Sequence, residues 1–330
     1  MVEVEQPLES YLGDMSFSDL YLEPNGQAWY KTSPSDRERH ALESGALEES
    51  RALREHLQSH RTGLDFRTEW QGVALRVQRI ETLDGDVYVG RRLLPRPIAW
   101  SELGYPPRLR DQLMTEAFSK GGLVLFSGGT GDGKSMSQAS WLVQRLCTFG
   151  GTGWTIENPV EIVLQGKHGS GKVVGTCYQT EIRSDAEFGP EIQRLLRAAP
   201  NVIMLGEIRA RDAAAQAILA GTSGHLVSST IHANNVTTAL ERTKNMMRES
   251  GLDTSMMADA LSAVIHQRLM SMRTPSGERR IFLTVTPLII AGAQNETSIR
   301  VHIRKGDFSQ LTSEIERQKR LIWAADGGPI

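Results

Sequence analysis

Eight consecutive residues, Gly128-Gly129-Thr130-Gly131-Asp132-Gly133-Lys134-Ser135, stand in the order G-x-x-x-x-G-K-[ST], which suits phosphate chemistry. Glycines let backbone N–H groups close on phosphate oxygens. Lys134 offers a point charge to the β- and γ-phosphates, and Ser135 a hydroxyl to the Mg²⁺ that accompanies them. Such a loop works between a strand and a helix N-terminus, where the helix dipole adds positive potential. The flanks fit: Leu123-Val124-Leu125-Phe126 reads as a buried strand, and Met136, Ala139, Val143 and Leu146 fall on one helix face. The chemistry implied is nucleoside triphosphate binding and hydrolysis.

Acids stand where that chemistry needs them. The apolar run Val202-Ile203-Met204-Leu205 ends in Gly206-Glu207, and Trp154-Thr155-Ile156 leads into Glu157-Asn158-Pro159-Val160-Glu161. One acid can organise a metal, with Glu207 reaching Mg²⁺ through water, while the other polarises a water molecule. The same positions also suit salt-bridge partners or helix caps. His225 and His232 flank a further apolar strand, seven residues apart, a spacing that does not make an obvious metal pair.

The elements that must position these groups follow from texture. Strands and helices alternate from residue 122 onward, which argues a mainly parallel sheet in an α/β domain. Leu109, Leu113, Met114, Ala117 and Phe118 recur at helical spacing and predict one helix that stops at Gly121 and Gly122. Ahead of it, Pro95, Pro97, Pro106 and Pro107 mark a stiff connection. We therefore divide the chain into a small α+β domain over 1–97, a linker over 98–107 and a larger domain over 108–330. In the first, Val73–Arg79 and Val87–Leu94 predict a hairpin turning at Asp84 and Gly85, and the charged segment from Asp36 to Arg61 predicts a helix.

Bulk properties narrow the partners. A formal charge of −2 gives no global field for nucleic acid, so none is expected as a direct partner. Cys147 and Cys177 are the only cysteines, too few for a disulfide framework or a four-cysteine zinc site. Met1–Ser10 carries three glutamates and no apolar run, which argues against a secretory signal. Ile281–Ala293 is interrupted by Thr284, Thr286 and Pro287 and suits strands rather than a membrane span. A cytoplasmic chain is expected.

Taken in order, these segments resemble the type II/IV secretion and pilus-motor ATPases. Gly128–Ser135 resembles that family's Walker A, Thr155–Glu161 its Asp box, Gly206–Arg209 its Walker B and Gly224–His232 its His box. Ser18-Asp19-Leu20-Tyr21-Leu22-Glu23-Pro24 resembles its opening segment, and Ile265–Leu269 its late Q-R-L segment. The resemblance implies a PAS-like first domain, a RecA-like P-loop NTPase second domain, ATP with Mg²⁺, and a homohexamer. It implies inner-membrane secretion or pilus platform proteins as partners, with peripheral placement at the cytoplasmic face of that membrane. Carried over by position, Glu157 is the catalytic glutamate, Glu207 the Walker B acid, and His225 and His232 couple to the nucleotide state. Arg76 and Arg92 fall on the family's phosphate-facing arginines, with Arg79 a weaker candidate. Asn158, Ala210, Asp212 and Ala74 depart from the family pattern. Without cysteines for a zinc insertion, the chain resembles the shorter retraction-type and Dot/Icm- or conjugation-type branch. A RecA-like ATPase acting on nucleic acid and a regulatory module without turnover are the alternatives.

Overall fold

The computed structural model describes residues 11–33, 36–59, 63–273 and 279–324. The chain divides at Pro95/Arg96 into two compact units, both mixing helices and strands.

The first unit holds a short helix α1 (Tyr11–Asp14), strands β1 (Asp19–Leu22), β2 (Ala28–Lys31) and β3 (His40–Ala41), helix α2 (Ser44–Ser59), and strands β4 (Asp65–Trp70), β5 (Val73–Thr82) and β6 (Gly85–Arg92). The strands form one sheet in the order β3-β2-β1-β6-β5-β4, antiparallel throughout. Leu20, Leu22, Leu75, Val77 and Tyr88 from the sheet pack with Leu53 and Leu57 of α2. The expected hairpin is present, with Thr82 opposite Gly85; its two-residue turn is Leu83-Asp84, one residue earlier than anticipated. The helix expected from Asp36 begins only at Ser44, and Arg61 lies outside the described residues. The cause is Asp36, whose carboxylate accepts from Thr32 N–H at 3.1 Å, Thr32 Oγ1 at 2.7 Å and Glu38 N–H at 3.0 Å. Those donors hold it well below the usual carboxylate range and satisfy the local backbone in a turn rather than a helix.

In the second unit, the helix expected from Leu109 to Phe118 is broken. Helix α3 (Pro107–Gln112) ends, and a 3₁₀ turn occupies Glu116–Lys120. A continuing helix needs the Leu113 carbonyl, but Trp141 Nε1 at 3.1 Å and Arg145 Nη1 at 3.3 Å have taken it.

Then follow β7 (Gly122–Gly128), α4 (Lys134–Phe149), β8 (Gly151–Glu157), β9 (Gly166–Ser170), β10 (Val173–Glu181), α5 (Phe188–Leu196), β11 (Val202–Glu207), α6 (Arg211–Thr222), β12 (Leu226–His232), α7 (Val236–Glu249), α8 (Met256–Ala260), β13 (Leu261–Arg273), β14 (Arg279–Ile289), α9 (Glu296–Lys305) and α10 (Thr312–Trp323). The sheet order is β14-β13-β7-β12-β11-β8-β10-β9. All neighbouring pairs from β13 to β10 are parallel, and only the edge strands β14 and β9 run antiparallel. Leu123 to Phe126 are fully buried, as a central parallel strand covered on both faces must be. Parallelism places the carboxyl ends of β7, β8, β11 and β12 along one edge of the sheet, where open α/β sheets bind ligands. Among the described residues no helix is long and apolar enough to cross a membrane.

Candidate functional site

The loop Gly128–Gly133 joins β7 to α4, so its backbone and the first turn of α4 face the same edge. Two glycines are required by geometry. A Cβ on Gly128 would stand 2.5 Å from the Gln267 carbonyl oxygen on β13, and Gly133 caps α4 with φ 77°, in the left-handed region. The loop is braced from inside. Asp132 accepts from Gly129 N–H at 2.6 Å and from Leu269 N–H at 3.1 Å. Its carboxylate therefore shapes the loop, and Asp132 can serve a phosphate only through its backbone, since a carboxylate accepts and never donates. Gln267 Nε2 donates to the Asp132 carbonyl at 2.6 Å, while its Oε1 accepts from the buried Tyr105 hydroxyl at 2.5 Å.

Lys134 Nζ donates to the Gly129 carbonyl at 2.8 Å. Burial lowers its pKa from the ordinary lysine value, while the carboxylates of Glu207, Asp132 and Glu161 oppose that shift. Those acids and the lysine thus share one electrostatic environment. Glu207 closes β11 with its carboxylate held by Arg209 at 2.8 Å. His232 stands opposite Gly128 in the β12–β7 register.

Glu157 ends β8 and is only 5% exposed. Its Oε1 accepts from Thr155 Oγ1 at 2.6 Å and Gln179 Nε2 at 2.9 Å. Burial pushes this carboxyl up to about 7, with Glu161 adding to the rise and the Thr155 and Gln179 donors opposing it. Asn158, next along, donates to Asp185 at 3.0 Å.

Other sequence candidates lie elsewhere. His225 precedes β12 at the opposite edge of the sheet: Leu226 pairs with Gly122 where His232 pairs with Gly128, a strand run of roughly 20 Å. Within this unit His225 therefore lies away from the Gly128–Ser135 loop. Its carbonyl accepts from Gly122 N–H at 3.0 Å, and among the described residues its buried Nδ1 has no hydrogen-bond partner.

In the first unit, Arg76 forms a two-pronged pair with Asp65 at 3.1 and 2.6 Å, and Arg79 pairs with Asp86 at 2.8 Å and Glu81 at 3.2 Å. Arg92 donates to the carbonyls of Met15 and Gly13 around the end of α1 and lies over the Phe17 ring. Arg92 accordingly anchors α1. Arg92→Ala should cost about 1–3 kcal/mol of the unit's stability, the worth of hydrogen bonds from a charged donor. Chemical denaturation checks this, and an unchanged midpoint would remove the anchoring role.

Sequence reasoning missed Thr155 and Gln179 on Glu157, Gln267 and Tyr105 on the loop, and His266, whose Nδ1 lies 3.2 Å from Ser127 Oγ. Thr155, His266 and Gln267 sit in segments already singled out; Tyr105 and Gln179 carry no local signal.

The family model described as "Type II/IV secretion system protein" matches residues 50–315. The protein transport protein HofB homolog of Escherichia coli K12 is 32% identical over 279 residues, covering 80% of this chain and 57% of that protein. The type IV pilus ATPase PilU of Pseudomonas aeruginosa PAO1 is 33% identical over 216 residues, covering 64% and 52%. The chain spans between 32% and 57% of the length of the first four curated relatives that it matches. The solved structure of the pilus retraction motor PilT with ADP superposes with a TM-score of 0.69 at 24% identity, covering 95% of this chain and 90% of that one. That likeness establishes a shared fold.

Proposed function

This chain belongs to the type II/IV secretion system protein family, and on that premise we propose that it is an ATPase, hydrolysing ATP to ADP and phosphate to drive a secretion or pilus machine. The observation that carries this reading is the buried carboxyl of Glu157 at the same sheet edge as a G-x-x-x-x-G-K-S loop. We read the second unit as RecA-like and the first as PAS-like, working as a homohexamer on inner-membrane platform proteins. The relatives are secretion and pilus proteins, which favours protein transport over work on nucleic acid.

Backbone N–H groups of residues 130–133 and the α4 N-terminus would hold the phosphates. Lys134 would leave the Gly129 carbonyl for the β- and γ-phosphates. Ser135 and, through water, Glu207 would hold Mg²⁺, which supplies charge neutralisation at the β- and γ-oxygens. One direct protein ligand with an acid behind a water fits this ion, which usually keeps waters and substrate phosphates in its shell. Glu157 takes a proton from the water that attacks the γ-phosphorus, as the bond to the β-phosphate oxygen breaks. A carboxyl with a pKa near 7 suits that task, because it is both available as a base and strong enough to accept. His232, opposite Gly128, would report nucleotide state to β12.

Glu157→Gln is expected to retain nucleotide affinity and to lose about 10²- to 10⁴-fold in rate, the usual worth of a general base. In the wild type, kcat/KM should climb through about pH 7 as Glu157 ionises, and in the variant that limb should vanish. Phosphate release across pH, with nucleotide binding alongside, tests both. A Glu157→Gln rate equal to wild type would move the base role to Glu161 or Glu207.

A further inference from the structure

We infer that Gln179 is a positioning residue for hydrolysis, fixing the Glu157 carboxylate and the loop that follows it; this rests on the reading of Glu157 as the base. Gln179 lies on β10 beside Thr155 of β8 in the parallel register. Its side chain uses every hydrogen-bonding position an amide has. Oε1 accepts from Leu164 N–H at 2.6 Å and Gln165 N–H at 2.8 Å. Nε2 donates to Glu157 Oε1 at 2.9 Å and to the Ile162 carbonyl at 3.0 Å. Two donors face one end and two acceptors the other, so the amide has a single satisfying orientation. The backbone N–H of Gln179 also donates to Gln165 Oε1 at 2.8 Å, closing a reciprocal clasp on the segment after Glu157.

The consequence for chemistry lies at Oε1 of Glu157. Thr155 supplies the other donor to that oxygen at 2.6 Å, so its direction is set by two fixed groups on two strands. A Thr hydroxyl can rotate to donate or accept. The Gln179 amide cannot, and it favours the ionised carboxylate against the burial that opposes it. Other titratable groups facing Glu157 are Glu161, whose charge raises its pKa, and Cys177 on β10, whose thiol responds to Glu157 in turn. Glu181, opposite Glu157 in the register, has its carboxylate on Val160 N–H at 3.0 Å. From β11 the neighbour is Gly206, which brings no charge. Among the described side chains that bond Glu157, Gln179 alone also bonds the backbone of residues 162–165. It therefore couples the base to the loop's conformation.

Gln179→Glu keeps the two loop bonds that Oε1 accepts and removes the two that Nε2 donates, to Glu157 and to the Ile162 carbonyl. A carboxylate can still accept from Leu164 and Gln165 N–H, but toward Glu157 it offers an oxygen where a donor stood, and the two carboxyls must share a proton. The full chain carrying Gln179→Glu should bind ATP as wild type does and melt within a few degrees of it. Its kcat at pH 7.5 should fall about 10- to 10²-fold, and the rising limb of its pH profile should move upward by about a unit or more. Combined with Glu157→Gln, it should add no further loss, because a residue acting through Glu157 has nothing left to position. The swapped pair also keeps one N–H···O contact, so it should fold even if the single variant does not. A Gln179→Glu rate within threefold of wild type, or a loss equal at every pH that multiplies with that of Glu157→Gln, would overturn the inference. A wild-type rate in Glu157→Gln alone would instead sink the reading on which it rests.

Discussion

Lys134→Ala is expected to lose ATP hydrolysis by at least about 10³-fold, the upper end of what one preorganised donor is worth against developing negative charge, because this donor also carries a full charge. Lys134 immediately follows the left-handed Gly133 cap, and its ammonium stays inside the loop on the Gly129 carbonyl at 2.8 Å. Three carboxylates, those of Glu207, Asp132 and Glu161, favour its charged form. Removing the ammonium leaves those acids facing the phosphates without a counter-charge, so nucleotide binding should weaken as well. Circular dichroism must show the variant folded, and phosphate release then decides: near-normal turnover would end the assignment of this loop to phosphate.

Arg76→Ala is expected to slow hydrolysis by about 10³- to 10⁵-fold, the worth of an arginine that meets charge developing on the γ-phosphoryl group. The choice of Arg76 over Arg92 comes from what each must give up. Arg76 is paired with Asp65, whose side chain is 44% exposed, and an exposed pair contributes only about 0–1 kcal/mol. Arg92 would have to abandon the backbone carbonyls of Met15 and Gly13 around α1. Measurement of rate and of light scattering on the same samples separates a chemical from an assembly defect. A variant that assembles and hydrolyses like wild type would leave Arg76 a structural residue, paired with Asp65.

Much of the site could be read from local sequence because its parts are local. The strand Leu123–Phe126, the glycine loop and the amphipathic start of α4 are consecutive, and each has its own pattern. Glu157 and Glu207 could be placed because an acid closing an apolar run in an alternating α/β chain must lie at the carboxyl edge of the sheet. Two differences, at Asp36 and at Leu113, have a common physical origin in side chains that compete for backbone groups. Asp36 holds Thr32 and Glu38 in a turn where charge content suggested helix. Trp141 and Arg145, nearly thirty residues or more away, capture the Leu113 carbonyl and end α3. His225 and His232 share a motif, yet the seven-residue strand between them carries them to opposite edges of the sheet. Gln179 was invisible for another reason: its partners lie 14 to 22 residues away, and nothing in the local pattern around it announces a saturated amide.

The central claim is that the chain hydrolyses ATP at the Gly128–Ser135 loop in an assembled ring. The measurement that addresses it most directly is phosphate release by the full chain with ATP and Mg²⁺ over a range of protein concentration, with Lys134→Ala as the blank. The account predicts a rate per subunit that rises as the ring forms and then levels off, with the blank flat throughout. Phosphate release indistinguishable from the blank at every concentration, from protein shown to be folded and assembled, would contradict it.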